Sequence, residues 1–431
     1  MTDDATDERP ADAATRDPLL TVEDLRVRFE TSEETVHAVN GVDFAIDRGE
    51  TLGLVGESGS GKSVTALSAL GLLDDTARVA GTVDFDGEAL LEKTDGEIRS
   101  LRGDRISMVF QDPGSSLNPV LSVGDQISET IRTHQAPAGE GISRFERSVL
   151  GNLVRPKDAF TRRTQSWETT VDLFERVSIP LPEQRALEYP HEFSGGMKQR
   201  ALIAMAVSCQ PDLLICDEPT TALDVTIEAQ ILDLIEELQR EFGTAVLFIT
   251  HDIGVVREVC DRVSVMYAGN VVEHGPTEAL FETPSHPYTR ALLDSVPRLD
   301  TDADLDPVAG RVPDMTSEPA GCPFAPRCTY ENDACHDTFP PAYPVDADSE
   351  QLPVRSRDPT DEDEAVTSPP PVAATPSAAD TDGHVANCVL YGDGEYLTAP
   401  RPASEIPAAV RAVDPSDGSP SEEPGVRGGD R

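Results

Sequence analysis

A glycine-rich turn between a short apolar run and a helical pattern is the feature that most constrains this fold. Residues Thr51–Val55 have the composition of a buried strand, and residues 56–63 then follow the pattern G-x-x-x-x-G-K-S before a helical pattern that continues to Leu73. Glycines at these places let successive backbone N–H groups converge on one anion, and the helix start adds a partial positive charge. The turn therefore predicts a phosphate-binding loop, in which Lys62 reaches the β- and γ-phosphates and Ser63 ligates Mg²⁺. The predicted nucleotide contacts in the loop are Gly56, Glu57, Ser58, Gly59, Ser60, Gly61, Lys62 and Ser63.

A second apolar run, Leu213–Asp217, ends in two carboxylates, because Glu218 follows it directly. In a doubly wound sheet, the carboxyl ends of the strands and the phosphate loop lie at the same edge. We therefore expect Asp217 to hold Mg²⁺, and Glu218 to orient or deprotonate the water that attacks the terminal phosphate. Cys216, within the run, is expected to be a small buried apolar residue.

The order of the elements predicts an α/β fold with a parallel sheet covered on both faces. Strand patterns alternate with helical ones: Ile227–Phe242 has apolar residues at helical spacing, and Ala245–Thr250 is again largely apolar. We expect the main domain to span residues 19–285, with an inserted helical subdomain at about 119–204. The stretch from Ala136 to Thr164 has no clear periodicity, and its role is left open.

The chain is strongly acidic, with 35 Lys+Arg against 79 Asp+Glu and a net charge of −44. This argues against binding to a nucleic-acid backbone, which requires a basic patch. Part of the acid falls in segments that we expect to be disordered, namely residues 1–18, 346–383 and 401–431. Other carboxylates lie within the predicted helices and strands. They favour a protein adapted to molar salt, where charge repulsion is screened within about 3 Å.

The hydropathy pattern predicts a chain that does not itself cross a membrane. The longest apolar runs, such as Ala201–Val207, are far shorter than the ~18 residues of a spanning helix. The N-terminal residues are acidic and polar, without the apolar stretch of a secretory signal. We therefore expect a cytoplasmic location.

The segment Phe193–Arg200, with the sequence FSGGMKQR, resembles the signature motif of ABC-transporter ATPases, with Phe and Met at positions that are commonly Leu and Gln. Other motifs of this family follow in the family's order: Gln111 after a predicted strand as the Q-loop, Thr221–Asp224 as the D-loop, and His251 as the switch histidine. Phe29 stands where the family places the aromatic residue that stacks on adenine. The resemblance covers roughly residues 19–296 and implies an ABC-type P-loop NTPase nucleotide-binding domain with an inserted helical subdomain.

The same resemblance implies a two-subunit ATP site. ATP is expected to lie between Lys62 of one protomer and the start of the signature helix of another, because free N–H groups at a helix start suit a γ-phosphate. The implied catalytic residues are Glu218, His251 and Gln111, and Gln111 joins Ser63 and Asp217 as an expected Mg²⁺ ligand. The implied nucleotide contacts outside the phosphate loop are Phe29, Asp217, Ser194, Gly195, Gly196 and Asp224.

Four of the seven cysteines lie outside core-like segments. Cys209, Cys216 and Cys260 need no special role. The other four are Cys322, Cys328 and Cys335, at C-x₅-C-x₆-C spacing, and Cys388, and the segment 321–328 is Pro-rich and lacks helix or strand periodicity. With no export signal, four such thiols favour a metal site over disulfides. The spacing lacks the paired C-x₂-C of a zinc ribbon, and an iron–sulfur cluster on four cysteines is chemically reasonable. Zinc and free thiols stay open as alternatives.

Two C-terminal elements narrow the resemblance. The segments His286–Leu293 and Cys322–Cys328 resemble the C-terminal extension of dipeptide/oligopeptide importer ATPases, some of which carry a [4Fe–4S] cluster on these cysteines. We expect this small, irregular extension at residues 286–345, with its end, including Cys388, at 384–400. The acidic insert between Cys335 and Cys388 departs from the family and puts the fourth ligand in doubt.

The importer resemblance implies a peripheral subunit on the cytoplasmic face of the cell membrane that powers dipeptide or oligopeptide import. Its implied partners are two transmembrane permease subunits, a second ATP-binding subunit in a homo- or heterodimer, and, indirectly, an extracytoplasmic solute-binding protein. Nickel or sugar import remains an alternative, as does, less favoured, a soluble ABC ATPase outside transport. The solute itself is not readable from these residues.

Overall fold

The computed structural model describes residues 18–134, 165–296, 310–345 and 383–388, apart from residues 33, 222 and 314. Most of these residues form an α/β domain around one large sheet. The strands, in chain order, are β1 Pro18–Glu30, β2 Thr35–Asp47, β3 Thr51–Val55, β4 Ala77–Phe85, β5 Glu88–Ala89, β6 Ile106–Val109, β7 Leu213–Asp217, β8 Ala245–Thr250, β9 Arg262–Tyr267, β10 Asn270–Pro276, β11 Tyr343–Pro344 and β12 Val385–Ala386.

Helices connect the strands and cover the sheet. In chain order they are α1 Lys62–Ala69, α2 Asp95–Leu101, α3 Pro113–Ser116, α4 Val123–His134, α5 Gln165–Arg176, α6 Pro182–Arg185, α7 Gly195–Val207, α8 Val225–Phe242, α9 Ile253–Val259, α10 Thr277–Glu282 and α11 Pro287–Asp294. Short 3₁₀ turns lie at Leu90–Glu92, Pro190–Glu192, Ala325–Arg327 and Asp333–His336.

The large sheet has the strand order β11-β12-β10-β9-β3-β8-β7-β6. Strands β9, β3, β8, β7 and β6 are parallel to one another, whereas β10, β12 and β11 are antiparallel to their neighbours. Every residue of β3, β7 and β8 is buried, as expected for parallel strands covered on both faces. The parallel pairing brings the carboxyl ends of β3, β7 and β8 to one edge, where Val55 lies opposite Thr250 and Asp217 opposite Ile249.

Strands β1, β2, β4 and β5 form a second, antiparallel sheet with the order β2-β1-β4-β5. Along the second half of β1, buried residues alternate with more exposed ones, because one face packs on the core and the other faces solvent, whereas β2 has only buried and partly buried residues. Phe29 lies near the end of β1, opposite Val36 on β2 and Ala77 on β4.

The described residues between 119 and 204 form helices α4 to α7 and one 3₁₀ turn. Helices α4 and α5 pack against each other and against α7 around the buried side chains of Ile127, Trp167 and Phe174. This arrangement agrees with an inserted helical region, although its bounds as a subdomain stay a prediction.

The strongest element predictions are confirmed. Strands Thr51–Val55, Leu213–Asp217 and Ala245–Thr250 have the predicted bounds. The helix after the phosphate loop ends at Ala69 rather than near Leu73, because Gly71 adopts a left-handed φ of 58° and the chain turns there. Pro18, the last residue of the predicted leader, begins β1. The other residues predicted as leader and tail, the stretch 136–164 and the insert 346–382 lie outside the described residues.

The C-terminal region extends the large sheet at its antiparallel edge. Ala386 of β12 pairs with Glu273 of β10 on one side and with Tyr343 of β11 on the other. The buried Glu273 carboxylate strengthens this junction, since it accepts hydrogen bonds from the backbone N–H groups of Ser285 and His286 and contacts His384 Nε2 at 2.6 Å. Two strands and two 3₁₀ turns therefore organise a region in which the sequence shows no periodicity.

Candidate functional site

The phosphate loop, residues 56–63, folds tightly between β3 and α1. A Cβ atom on Gly56 would lie 2.1 Å from the backbone oxygen of Met266, and one on Gly61 would lie 2.4 Å from the backbone oxygen of Ala38. Gly61 also has a φ of +101°, which side chains rarely allow. Close backbone contacts therefore require glycine at both Gly56 and Gly61, and the backbone conformation also requires it at Gly61.

Lys62 is the first residue of α1, and its side chain lies back across the loop. Its Nζ donates to the backbone oxygens of Gly56 at 2.8 Å and Glu57 at 3.0 Å. Burial lowers the pKa of Lys62, and the nearby carboxylates of Glu218, Asp217 and Glu57 oppose that shift. The ammonium group therefore lies at the loop's centre, beside three acidic side chains.

Ser63 and Asp217 meet as predicted from their places in the sequence. Ser63 Oγ donates a hydrogen bond of 2.9 Å to Asp217 Oδ1. Burial raises the pKa of Asp217, while the hydrogen bond from Ser63 acts in the opposite direction. A hydroxyl and a carboxylate in contact form an oxygen ligand pair of the kind that Mg²⁺ prefers.

Glu218 follows β7 with a left-handed φ of 47°, which is uncommon for a side-chain-bearing residue and turns the carboxylate into the site. Its Oε2 accepts hydrogen bonds from Gln111 Nε2 at 2.7 Å and Thr221 Oγ1 at 3.0 Å. Its Oε1 lies 3.2 Å from His251 Nδ1. The structure thus brings together the three side chains that the sequence analysis proposes as catalytic.

The signature segment and the D-loop form helix starts of their own. Ser194 Oγ accepts the N–H of Met197 and begins α7, and Asp224 Oδ1 accepts the N–H of Ile227 at 3.0 Å and begins α8. A Cβ on Gly196 would lie 2.7 Å from the Ile227 side chain, so the two helix starts lie close together. The described hydrogen bonds of Ser194 stay within its own helix.

The four C-terminal cysteines line one small cavity, together with His286 and Phe324. Its volume is about 10 Å³, roughly the space of one water molecule. Cys328, Cys335 and Cys388 are buried, and all four thiols are free of disulfides. Burial raises the pKa of Cys322 to about 12, so that this thiol is protonated at neutral pH when no cation is bound.

Cys388 joins this group despite the long insert that precedes it. The residue follows β12, and the neighbouring Asn387 N–H donates 2.9 Å to the backbone oxygen of Val272. Cys322 and Cys335 are joined by a backbone hydrogen bond of 2.8 Å. Within the described ranges, no group of three or more His, Cys, Asp or Glu side chains is arranged to hold a metal ion.

Sequence reasoning missed three contacts of the site. The sequence identifies Thr221 only as part of the D-loop motif, whereas in the structure its hydroxyl donates a hydrogen bond to the Glu218 carboxylate. Tyr288 Oη accepts the N–H of Glu57, and Arg327 Nη1 contacts the Glu57 carboxylate at 3.1 Å. The motifs around Tyr288 and Arg327 were visible in the sequence, but nothing local indicated that they meet the phosphate loop.

None of the helices in the described ranges is both long and apolar enough to span a bilayer.

Comparison with known proteins identifies family matches in two regions of the chain. Residues 39–221 match the ABC transporter family, and residues 272–335 match the family described as "Oligopeptide/dipeptide transporter, C-terminal region". The chain is 46% identical over 323 residues to the oligopeptide transport ATP-binding protein OppD of Salmonella typhimurium, covering 75% of this chain and 89% of that protein. It is 47% identical over 325 residues to the dipeptide transport ATP-binding protein DppD of Bacillus subtilis, covering 75% and 90%.

A third relative, OppD of Escherichia coli, is 44% identical over 325 residues, with 75% of this chain and 89% of the relative covered. Identity at this level over most of each protein, together with both family matches, is decisive for membership. The chain belongs to the ATP-hydrolysing, ATP-binding proteins of the ABC transporter family, in the group that carries the oligopeptide/dipeptide transporter C-terminal region.

Proposed function

We propose that this chain is the ATP-hydrolysing subunit of an importer that carries dipeptides or oligopeptides across the cell membrane. The observation that carries the peptide assignment is the match of residues 272–335 to the C-terminal region of oligopeptide and dipeptide transporters. The relatives named above, which are oligopeptide and dipeptide transport ATP-binding proteins, support the same substrate class.

The proposed assembly contains two membrane-spanning permease subunits and a second ATP-binding subunit, with a solute-binding protein on the outer side. This chain would sit on the cytoplasmic face as a peripheral subunit. The exposed side chains of Phe110, which precedes Gln111 directly, and of Val120 support a contact surface for a permease in this part of the chain.

The proposed mechanism begins with nucleotide capture by the phosphate loop. Lys62 leaves the backbone oxygens of Gly56 and Glu57 and contacts the β- and γ-phosphates, while Ser63 and Asp217 would hold Mg²⁺, which neutralises phosphate charge. The ring of Phe29 stacks on adenine. Ser194, Gly195 and Gly196 of a partner protomer close over the γ-phosphate, with Asp224 near the same interface.

Hydrolysis then depends on the Glu218 group. Glu218 orients and deprotonates the attacking water, His251 contacts the γ-phosphate, and Gln111 links the water and Mg²⁺ to the permease contact. The observed contacts of Glu218 with Gln111 and His251 support a single unit that responds to the γ-phosphate. Closure on ATP and opening on product release would move the permease surface.

The function is tested with the assembled transporter in sealed vesicles that contain ATP, with its solute-binding protein outside. We expect ATP-dependent uptake of a labelled dipeptide or oligopeptide, and none in vesicles assembled with the Glu218→Gln chain. Uptake of nickel or a sugar in place of peptide would contradict the proposed peptide substrate and identify the alternative solute. Absence of any membrane-spanning partner, with an ATPase stimulated by DNA or ribosomes, would contradict the transport function.

We further propose that Cys322, Cys328, Cys335 and Cys388 hold a [4Fe–4S] cluster. Four cysteine side chains that form no disulfide and line one cavity are the donor set of such a cluster, and metal binding would deprotonate the buried Cys322 thiol. When bound, the cluster would cross-link the C-terminal region. The small cavity favours zinc as the alternative occupant, because a single ion needs less space than a cluster of four iron and four sulfur atoms.

The cluster proposal predicts a coloured protein. Chain purified without oxygen is expected to contain close to four iron atoms and to absorb near ~400 nm, because iron–sulfur centres on cysteine are coloured. Cys388→Ser should reduce the iron content, whereas Cys209→Ser, outside the cavity, should leave it unchanged. Zinc at one equivalent without colour would identify the alternative ion, and protein with neither metal would contradict both assignments.

We also propose that the surface carboxylates adapt the protein to molar salt. The net charge is −44, and Asp86, Glu88, Asp233, Glu236 and Glu237 are exposed on folded elements. We expect ATP turnover and the unfolding temperature to rise as KCl is increased from ~0.1 M to molar concentrations, because screening removes like-charge repulsion. Full activity and stability in dilute buffer would contradict this adaptation.

A further inference from the structure

The C-terminal region contacts the phosphate loop through two side chains, and both contacts are made at Glu57. Tyr288, in α11, accepts the backbone N–H of Glu57 at an N···O distance of 2.9 Å. Arg327 lies in the 3₁₀ turn between Cys322 and Cys328, and its Nη1 lies 3.1 Å from Glu57 Oε2. The second residue of the phosphate loop is thus held at its backbone and at its side chain.

The Arg327 side chain is buried where it contacts Glu57. Its side chain is only 3% exposed, so that the charge depends on protein partners. The same Nη1 donates to Tyr267 Oη at 3.0 Å, and the guanidinium carbon lies 5.6 Å from the Tyr267 ring centre and 5.8 Å from that of Phe324. Breaking the Glu57 contact would remove one of the partners of this buried charge.

An aromatic cluster supports both contacts. The ring centres of Tyr267 and Tyr288 are 4.6 Å apart, and Phe324 lies 5.3 Å from the first and 5.4 Å from the second. Tyr267 ends β9 in the large sheet, Tyr288 belongs to α11, and Phe324 belongs to the cysteine loop. Burial raises the pKa of Tyr267 to about 12, so that its phenol stays neutral. The cluster joins three separate elements into one wall beside the loop.

Glu57 is also held from the opposite side. Its backbone oxygen accepts from Lys62 Nζ, and the preceding Gly56 packs against the Met266 backbone so closely that a Cβ would not fit. When Lys62 turns to a phosphate, it releases that oxygen. Two of the contacts described above then remain at Glu57: Tyr288 accepts its backbone N–H, and Arg327 contacts its carboxylate.

We propose that Arg327 and Tyr288 are positioning residues for ATP binding: they hold Glu57 so that the loop keeps its phosphate-binding arrangement while Lys62 engages the nucleotide. Neither side chain is proposed to touch ATP. The inference rests on the proposed role of the phosphate loop, and it is independent of the transported solute and of any metal on the cysteines.

The test compares ATP affinity in two sets of variants of the full chain. Arg327→Gln is expected to raise the KM for ATP about tenfold, corresponding to ~1.4 kcal/mol, with a smaller change in kcat. Tyr288→Phe, which keeps the ring and removes only the acceptor oxygen, should raise it several-fold. The matched control is Arg262→Gln, which breaks a comparably buried ion pair with Glu50, 3.0 Å long, at the opposite end of β3 and β9.

A structural defect and a positioning defect are separated by two readouts. Arg262→Gln should lower the unfolding temperature without changing the KM for ATP, whereas Arg327→Gln should change both. Arg327→Lys, which keeps the charge, should restore part of the affinity. The double variant Glu57→Gln with Arg327→Gln should lose no more affinity than Arg327→Gln alone, because both changes break the same pair.

Unchanged ATP affinity in Tyr288→Phe and in Glu57→Gln, both of which are expected to fold, would overturn the inference even if Arg327→Gln does not fold. The Lys62→Ala variant distinguishes failure of this inference from failure of the proposed phosphate site. If Lys62→Ala loses ATP and Tyr288→Phe does not, the loop binds phosphate without help from the C-terminal region. If neither variant loses ATP, the proposed phosphate site is wrong.

Discussion

Replacing Glu218 by Gln is expected to reduce ATP turnover by about 100-fold or more, since a general base contributes on the order of 10²–10⁴ in rate. Gln keeps the shape of the side chain and an oxygen that can accept from Gln111 and Thr221, which now bond Glu218 Oε2. It cannot take a proton from water. The variant should therefore bind ATP, close the dimer and stop there.

The experiment measures phosphate release and retained nucleotide in the same sample. Glu218→Gln should elute with ATP bound as a dimer, with a second copy or with the second ATP-binding subunit, whereas the unaltered protein releases ADP. Glu237→Gln, on the exposed face of α8, is the matched control for loss of one carboxylate and should turn over normally. Ordinary turnover by Glu218→Gln would remove Glu218 from its proposed role and leave the water to be activated by another group.

The parts of the site that could be predicted from the sequence are those built by local patterns. The phosphate loop combines a buried strand, glycines and a helix start within a few residues, and each has a local physical cause. The position of Asp217 and Glu218 follows from one further rule, because parallel strands end at the same edge of a sheet. The observed contact between Ser63 and Asp217, 154 residues apart, agrees with that rule.

The contacts of the C-terminal region could not be predicted, for a different physical reason. Residues 310–345 have no hydrophobic periodicity, and their order comes from tertiary contacts such as the buried ion pair of Arg327 and the aromatic ring of Phe324. The strand Val385–Ala386 is only two residues long and is defined by pairing with β10. Such pairing places Cys388 beside the other three cysteines, which loop length alone did not indicate.

The Cys322–Cys328 loop lines the cysteine cavity and also contacts the phosphate loop. Arg327 precedes Cys328 directly, and Phe324 both lines the cavity and packs on Tyr267 and Tyr288. Any change that reshapes this loop must therefore displace Arg327 or the aromatic wall. Contacts of Phe324 and Arg327 therefore connect the cysteine cavity to Glu57 in the phosphate loop.

Replacing Lys62 by Ala is expected to weaken MgATP binding by about 10- to 100-fold, because a hydrogen bond to a charged group contributes ~1.5–3 kcal/mol. Lys62 is the cation within the phosphate loop, and its ammonium group lies against the Gly56 and Glu57 oxygens, where a phosphate chain would take their place. The loss should appear in binding itself. This distinguishes Lys62→Ala from Glu218→Gln, which should bind ATP and fail to cleave it.

The measurement is equilibrium binding of MgATP to purified chain, with thermal unfolding recorded on the same samples. Lys93→Ala is the control, because Lys93 carries the same charge in an ion pair with Glu88 on the surface, away from the loop. Its affinity for ATP should equal that of the unaltered chain. If Lys62→Ala binds MgATP as tightly as Lys93→Ala, Lys62 does not bind the phosphates, and the proposed phosphate site is wrong.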